Sequence, residues 1–446
     1  MSTYELGHQP LHVASPAAAL RRAGHDVRCL DLSVEMWDDD LAAWADKVAF
    51  SVPMHTATRI ALEAATQVPT ETEVAFYGLY AGMLRGFAGE YEPALVAWAG
   101  GQEGTAVGLG RQRFDLPARD LLPPLDRYAR LALPGGEERL VGYVEASHGC
   151  VHRCRHCPVP VVYDGRIRVV GDDAVLADID QLVEMGARHI TFGDPDFLNG
   201  PHHSVRIARA MHERHPDLTF DSTVKVEHIL RHRDLWGELA EAGCLFVVSA
   251  VEHVNDAILE RLDKGHTAAD AGEAVAVLRR HGVELRPSLL PFTPWTTRRD
   301  LADLVDFVAA HDLVGNVDPV QYTIRLLLPE RSLLLDHPDM AAHLGPHDAD
   351  RLSWTWTAAD PAMDDLQAEL AELVERGGSP AETFDAVAAA VGATARAGAV
   401  TERPRLTEAW FCCAEPTRLQ LAGARSAPGS AAPPPPGAAP HRRPGG

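Results

Sequence analysis

Cys150-Val-His-Arg-Cys154-Arg-His-Cys157 puts three thiols in a C-x3-C-x2-C array, directly after the apolar run at residues 140–146. Thiolates are soft ligands that suit iron–sulfur clusters. Three of them hold three irons of a 4Fe–4S cubane and leave the fourth iron open to another ligand. The rival reading is zinc, with His152 or His156 completing a Cys3His set. Structural zinc sites usually pair two short hooks set well apart, whereas this is one compact hook that opens a long strand–helix series.

The rest of the chain bounds the answer. Its 446 residues predict two or three domains, and 46% hydrophobic residues are enough for large cores. A net charge of −22 and a pI near 5.4 argue against a nucleic-acid substrate, which calls for a basic face. No apolar run is long enough for a membrane span, and the sequence at Met1 does not read as a signal peptide. The seven cysteines, three of them in the hook, are no disulfide framework; a reducing cytoplasm is the expected setting.

Working outward, the hook follows one strand and is followed by alternating strands and helices. Strands are expected at 140–146, 189–192, 218–222, 245–250, 283–290 and 319–325. Helices are expected at 173–185, 202–215, 226–242, 267–281 and 297–310, with a short one at 255–262. Gly186, Gly243 and Gly282 close three helices, and Pro201 opens another. Upstream, residues 1–110 alternate in the same way: a helix at 16–23, a strand at 26–32, a strand at 47–52, a helix at 55–67 and a strand at 73–77. A first strand is expected to be missing there, for want of residues before Ser2. Residues 111–139 are a proline-bearing linker, 331–425 a helical region in which Ser379 and Glu382 make a capping box around Pro380, and 426–446 a disordered Pro/Gly/Ala tail.

Hook, strand context and repeat together resemble the radical SAM superfamily, in which S-adenosylmethionine (SAM) chelates the open iron and is cleaved reductively to a 5′-deoxyadenosyl radical. The resemblance implies an α/β fold: a partial (βα)6 TIM-like barrel at 140–330 whose chemistry sits at the C-terminal ends of its strands. The stretches LRRAGHDVRCLDL and AFYGLYAGM resemble the cobalamin-binding, Rossmann-like domain that precedes many such barrels, although the Asp-x-His-x-x-Gly motif is absent. His12, His25 and His55 are candidate cofactor contacts there, or ordinary solvent-facing or capping histidines. The tail Phe411-Cys412-Cys413-Ala414-Glu415-Pro416 resembles a radical SAM family marked by a C-terminal Cys-Cys-Ala-Glu-Pro, in which selenocysteine can replace the second cysteine. That interchange implies a nucleophilic or redox role for Cys413; the bland alternative is a pair of buried thiols.

The same resemblance assigns the remaining candidates. Cys150, Cys154 and Cys157 are the cluster ligands, and His156 stands where an aromatic residue packs near the adenine. Asp194 and Asp196 replace a Gly-Gly-Glu that meets the SAM amino group. Lys225, after the third strand, is a candidate for the methionine carboxylate or an ordinary solvated lysine, and Ser249 and Glu252, at the fourth strand end where VEHVNDAILERLDKGHT resembles the family pattern, are candidates for the ribose or amino group. Lys264 and His266 read as structural; Arg286, Ser288 and Arg325 are further candidates. A flavodoxin or ferredoxin donor is implied, with Arg153, Arg155, Arg166 and Arg168 as a docking patch. The expected function is radical SAM catalysis on an unnamed substrate, by cobalamin-assisted methyl transfer or by redox or sulfur chemistry at Cys413. A cluster- or zinc-bearing protein without turnover is the non-enzymatic rival.

Overall fold

The computed structural model describes residues 1–89, 92–102 and 114–408. Five parallel strands build a curled sheet: β1 (Glu138–Val144), β2 (His189–Phe192), β3 (Thr219–Thr223), β4 (Cys244–Glu252) and β5 (Glu284–Leu289). They lie side by side in chain order, as right-handed helical crossovers require. Helices Asp172–Glu184, Pro201–Arg214, Ala268–Arg279 and Arg298–Ala310 cover the outside. Side chains alternate along each strand. On β4, Val247 and Val251 pack into the helix layer, while Phe246 and Val248 meet Val141 and Leu131 on the inner face.

The sixth strand expected at 319–325 is a 3-10 turn, Pro319–Thr323, with one parallel bridge between Phe292 and Arg325. Proline offers no ladder donor. The Gln321 side chain takes over part of the ladder, its Oε1 accepting from Leu289 N at 2.8 Å. The single helix expected at 226–242 is two, Val226–Arg231 and Trp236–Glu241, joined by a 3-10 turn. The bend buries Trp236 completely, and its indole N–H reaches Ile229 O at 3.0 Å.

Two short strands extend the sheet beyond β1. Arg130–Ala132 runs antiparallel to β1, and Arg405–Leu406 runs antiparallel to that strand, so the chain approaching Glu408 travels in the direction of the barrel strands. Tyr4 Oη donates to Glu408 Oε1 at 2.5 Å. Residues 338–397 are not wholly helical as expected. A hairpin, Leu344–Asp348 with Ser353–Trp356, precedes helices Ala362–Glu375 and Pro380–Val391, because SWTW alternates and buries Trp356 with its N–H on Leu326 O at 2.8 Å. The Ser379–Glu382 capping box forms around Pro380.

In the N-terminal unit, strands Lys47–Ser51, Glu73–Tyr77 and Phe87–Gly89 are parallel. No strand precedes the first helix among the described residues, where only an isolated bridge forms. Ser2 bridges Asp31 in parallel, with Ser2 N to Leu30 O and Leu32 N to Ser2 O both 3.0 Å, while Ser51 N reaches Met1 O at 2.9 Å. The strand expected at 26–32 shrinks to that bridge. The first helix begins at Leu11 and carries Pro16 inside it. The missing N–H of Pro16 frees the carbonyl of His12, which accepts from Tyr77 Oη at 2.8 Å. No described helix is long and apolar enough to cross a membrane.

Candidate active site at the barrel mouth

One cavity opens at the C-terminal ends of β1 to β5. It is walled on the far side by strand-end loops of the N-terminal unit at Glu5, His8, Pro53, Met54, Gly78 and Leu79, and at one edge by Leu406 and Glu408. All three hook cysteines line it. The hook starts at Gly149, where φ is +81° and an added Cβ would lie 2.4 Å from both Arg166 O and the Tyr163 ring. It is tied down by Arg155, whose N–H reaches Leu262 O at 2.9 Å and whose guanidinium reaches Glu260 O and Arg261 O. Burial pushes the Cys150 thiol up to about 12 and raises Cys154, against the pull of Lys264 and Lys225. Such thiols ionise when a metal takes them. Three thiols on one wall, with no fourth described cysteine beside them, fit a cluster with one open iron.

The predicted residues do not all meet this cavity. Asp194, Asp196, Lys225, Glu252 and His156 line it, as do Lys264, Arg286 and Ser288. Asp194 is already engaged: Oδ1 accepts from Ser147 Oγ at 2.6 Å and Oδ2 from Ala146 N at 2.9 Å, which pins the hook's entry. Burial pushes its carboxyl up to about 7. Asp196 Oδ1 accepts from Leu198 N at 3.0 Å. Glu252 takes Lys264 Nζ at 3.0 Å and His156 Nε2 at 3.1 Å. Its φ of +61°, rare outside glycine, follows a bulge at the end of β4. Lys225 Nζ lies 3.4 Å from Glu227 Oε2.

Ser249 does not belong to this group. It has the opposite parity to Ala250 and Glu252 on β4, is fully buried, and faces the helix layer. Arg325 also turns away, stacking 3.6 Å over the Trp356 ring and pairing with Asp364. His55 bonds Arg351 O at 2.6 Å and His25 lines a separate surface pocket; of the three candidate histidines there, His12 lines the cavity, as does His8. Of the four arginines beside the hook, Arg168 is buried at 5% exposure over the Phe114 ring and leaves the surface patch. Cys412 and Cys413 lie outside the described residues.

Two arrangements went unread. His12 Nδ1 lies 3.0 Å from Glu5 Oε2 and its Nε2 3.2 Å from Glu145 Oε1, while His148 and Tyr143 complete Glu145 at 2.7 and 2.8 Å. Burial pulls His12 down, but Glu145 and Glu5 together carry it well above the ordinary imidazole value. Glu145 itself, at the end of an apolar strand, was the available signal. Arg119, in the proline linker, is fully buried. It donates to both oxygens of Asp178 at 3.1 and 2.8 Å, to Tyr143 O at 2.6 Å and to Gln9 O at 3.3 Å. It joins linker, barrel and N-terminal unit.

Comparison with known proteins agrees with this geometry. Residues 144–308 match the Radical SAM superfamily description. The hopanoid C-3 methylase of Methylococcus capsulatus is 24% identical over 331 residues, 65% of this chain and 62% of that protein. An uncharacterized methyltransferase of Pyrococcus horikoshii is 25% identical over 215 residues, 48% of this chain and 44% of that protein. The chain thus spans less than two thirds of either relative. Among solved structures, the cobalamin-dependent SAM radical enzyme OxsB with aqua-cobalamin bound superimposes with a TM-score of 0.63 at 13% identity, covering 82% of this chain and 64% of that one. The radical SAM methyltransferase TsrM of Kitasatospora setae, with tryptophan and a SAM analogue, gives 0.59 at 18% identity, covering 80% of each. The likeness to these structures is one of fold: a mixed α/β chain with a curled half-barrel sheet.

Proposed function

We propose that this enzyme holds a 4Fe–4S cluster on Cys150, Cys154 and Cys157 and binds SAM across the ends of β2 to β4. In this reading it carries out methylation-type chemistry on a substrate seated between barrel and N-terminal unit. The observation that carries it is convergence: the hook thiols, the Glu252–Lys264–His156 group and the N-terminal strand-end loops open on one cavity. The chemistry such a cluster supplies when bound is one-electron reduction of the SAM sulfonium. The chain's own residues orient and exclude. Glu252 and Lys225 offer one acceptor and one cation to the amino-acid end of SAM. His156, held by Glu252, presents a flat ring beside the hook. Cobalamin is the second cofactor the N-terminal unit suits, since the loops at Pro53 and Gly78 face the hook across the cavity. Both ring nitrogens of His12 are engaged by carboxylates, so cobalamin would bind there without His12 as axial ligand. An acidic flavodoxin or ferredoxin would dock at Arg153, Arg155 and Arg166.

Anaerobic reconstitution tests this reading. About four irons per chain, formation of 5′-deoxyadenosine with dithionite, and retention of added hydroxocobalamin are expected. Turnover of SAM by a Cys150/Cys154/Cys157→Ala variant would sink it.

One observation favours a second reading, sulfur or redox chemistry at Cys413. The described chain reaches Glu408 on the cavity edge while running toward the mouth, five residues before that thiol. Five extended residues reach roughly 17 Å. Under this reading Cys413→Ala keeps 5′-deoxyadenosine formation but loses product; unchanged product rejects it.

A further inference from the structure

Beside the hook lies a second cluster of ligand-type side chains that neither reading uses. His152, between Cys150 and Cys154, turns toward the loop after β2 and the helix Val226–Arg231. There it meets Asp196 and His228, with ligand atoms from all three within 4.8 Å of one another. His152 Nε2 lies 3.3 Å from His228 Nε2 and 3.9 Å from Asp196 Oδ2, and His228 Nδ1 lies 2.8 Å from the same oxygen. Asp196 is 1% exposed and His228 3%.

Hydrogen bonding accounts for only part of this arrangement, the bond between the Nε2 atoms of His152 and His228. His228 Nδ1 and Asp196 Oδ2, though close, are out of line, and both are buried without a hydrogen-bond partner among the described residues. An orphaned buried carboxylate oxygen is costly unless a cation or donor takes it. The other oxygen of Asp196 is used by Leu198 N, which leaves Oδ2 as a single directed donor. The His152 ring presents Nε2 to both His228 and Asp196. Its far nitrogen, Nδ1, lies 3.6 Å from Glu227 Oε2, within ion-pair reach but beyond a hydrogen bond.

We propose that His152, Asp196 and His228 hold one mononuclear divalent transition-metal ion, distinct from the cluster. Nitrogen and oxygen donors suit zinc or ferrous iron, whereas the thiols suit the cluster. Donor atoms around a tetrahedral ion with bonds of about 2.0–2.1 Å lie roughly 3.3 Å apart; with His228 offering Nδ1, its 2.8 Å and the 3.9 Å of His152 Nε2 to Asp196 Oδ2 bracket that spacing. Three protein ligands leave a coordination position open. Because His152 and Asp196 both line the cavity, that position faces it, where a water or a substrate oxygen would be the fourth ligand. The inference does not depend on the methyl-transfer reading.

The full-length Cys150/Cys154/Cys157→Ala variant, which lacks the hook thiols, is titrated anaerobically with Co2+. About one equivalent should bind, with visible d–d absorption and no thiolate charge transfer. Adding His228→Ala or Asp196→Asn should abolish it. A parallel measurement uses the reconstituted wild-type chain, where metal analysis should show about one zinc or iron beyond the cluster. His228→Ala should lose that ion while keeping the cluster's charge-transfer band. If the triple variant loses its far-ultraviolet helix signal, the holoenzyme comparison decides alone. Equal Co2+ binding with and without His228, no extra metal in the holoenzyme, or joint loss of cluster and extra metal in His228→Ala would each overturn the proposal.

Discussion

Lys264 and Glu252 form a buried ion pair, Nζ to Oε1 3.0 Å, and the same oxygen also takes His156 Nε2. Burial opposes both charges, yet each partner holds the other ionised: Glu252 below the ordinary carboxyl range, Lys264 above the ordinary ammonium range. Removing one partner leaves an uncompensated buried charge, which costs about 3–5 kcal/mol. Lys264→Met should lower unfolding free energy by that amount in urea. Because the Glu252 carboxyl is depressed, its contribution is full above the ordinary value of 4.5 and is lost as pH falls through the folded value. Glu252→Gln should therefore flatten the acid limb of stability below that pH, and an unchanged acid limb would reject the assignment.

His12 predicts the opposite slope. Its imidazole is raised well above 6.5 by Glu145 and Glu5, which outweigh burial, with His148 and Tyr143 sharing Glu145. Its stabilisation is full below 6.5 and fades as pH rises through the folded value. His12→Gln should cost roughly 2–4 kcal/mol in mildly acid buffer and much less in strongly alkaline buffer. Denaturant melts at both ends of the pH range measure the difference.

Arg119 makes a two-pronged bond to Asp178 with no solvent exposure. Arg119→Met should cost about 3–5 kcal/mol. Lysine should recover only part, because an ammonium cannot reproduce the planar fork. Full recovery by lysine in thermal melts would show that charge alone matters.

Tyr143 leans across Gly193 so closely that an added Cβ would sit 1.9 Å from its hydroxyl. Gly193→Ala should displace Tyr143 and with it the Glu145 network, abolishing 5′-deoxyadenosine formation while iron content holds. Pairing it with Tyr143→Ala should restore the thermal midpoint toward wild type. A lone Gly193→Ala with normal activity would show the contact is soft.

Cys413 can be examined before any substrate is known. If it works at the mouth, saturating SAM should slow its alkylation by a maleimide at least about threefold, read by peptide mass spectrometry. Deleting residues 426–446 should leave SAM cleavage unchanged. Equal labelling with and without SAM would remove Cys413 from the site.

Much of this was legible in the chain. The three hook cysteines, expected together from their spacing, lie together on the cavity wall, and β1 to β5 could be read because apolar runs alternate with capped helices. Parity was harder. Ser249 and Glu252 were both candidates, yet an odd spacing on one strand sends them to opposite faces. Partners distant in sequence were invisible: nothing near Arg119 announces Asp178, and nothing near His12 announces Glu145. The sixth strand failed on one residue, since Gln321 makes with its side chain a bond that a strand would make with its backbone.

The strap at Arg405–Leu406 bears on how the enzyme is made. Tyr4 and Glu408 are bonded across 404 positions of chain, and Leu406 pairs with Leu131 on the way. A ribosome releases nearly the whole described chain before that edge can close, and contacts of such long range form late. Until then the hook stands on a sheet whose cavity is open to solvent along one side. If the hook holds a cluster, its insertion into the finished wall is expected to follow synthesis. Nascent chains stalled before Arg405 should carry exposed, oxidisable thiols at Cys150, Cys154 and Cys157.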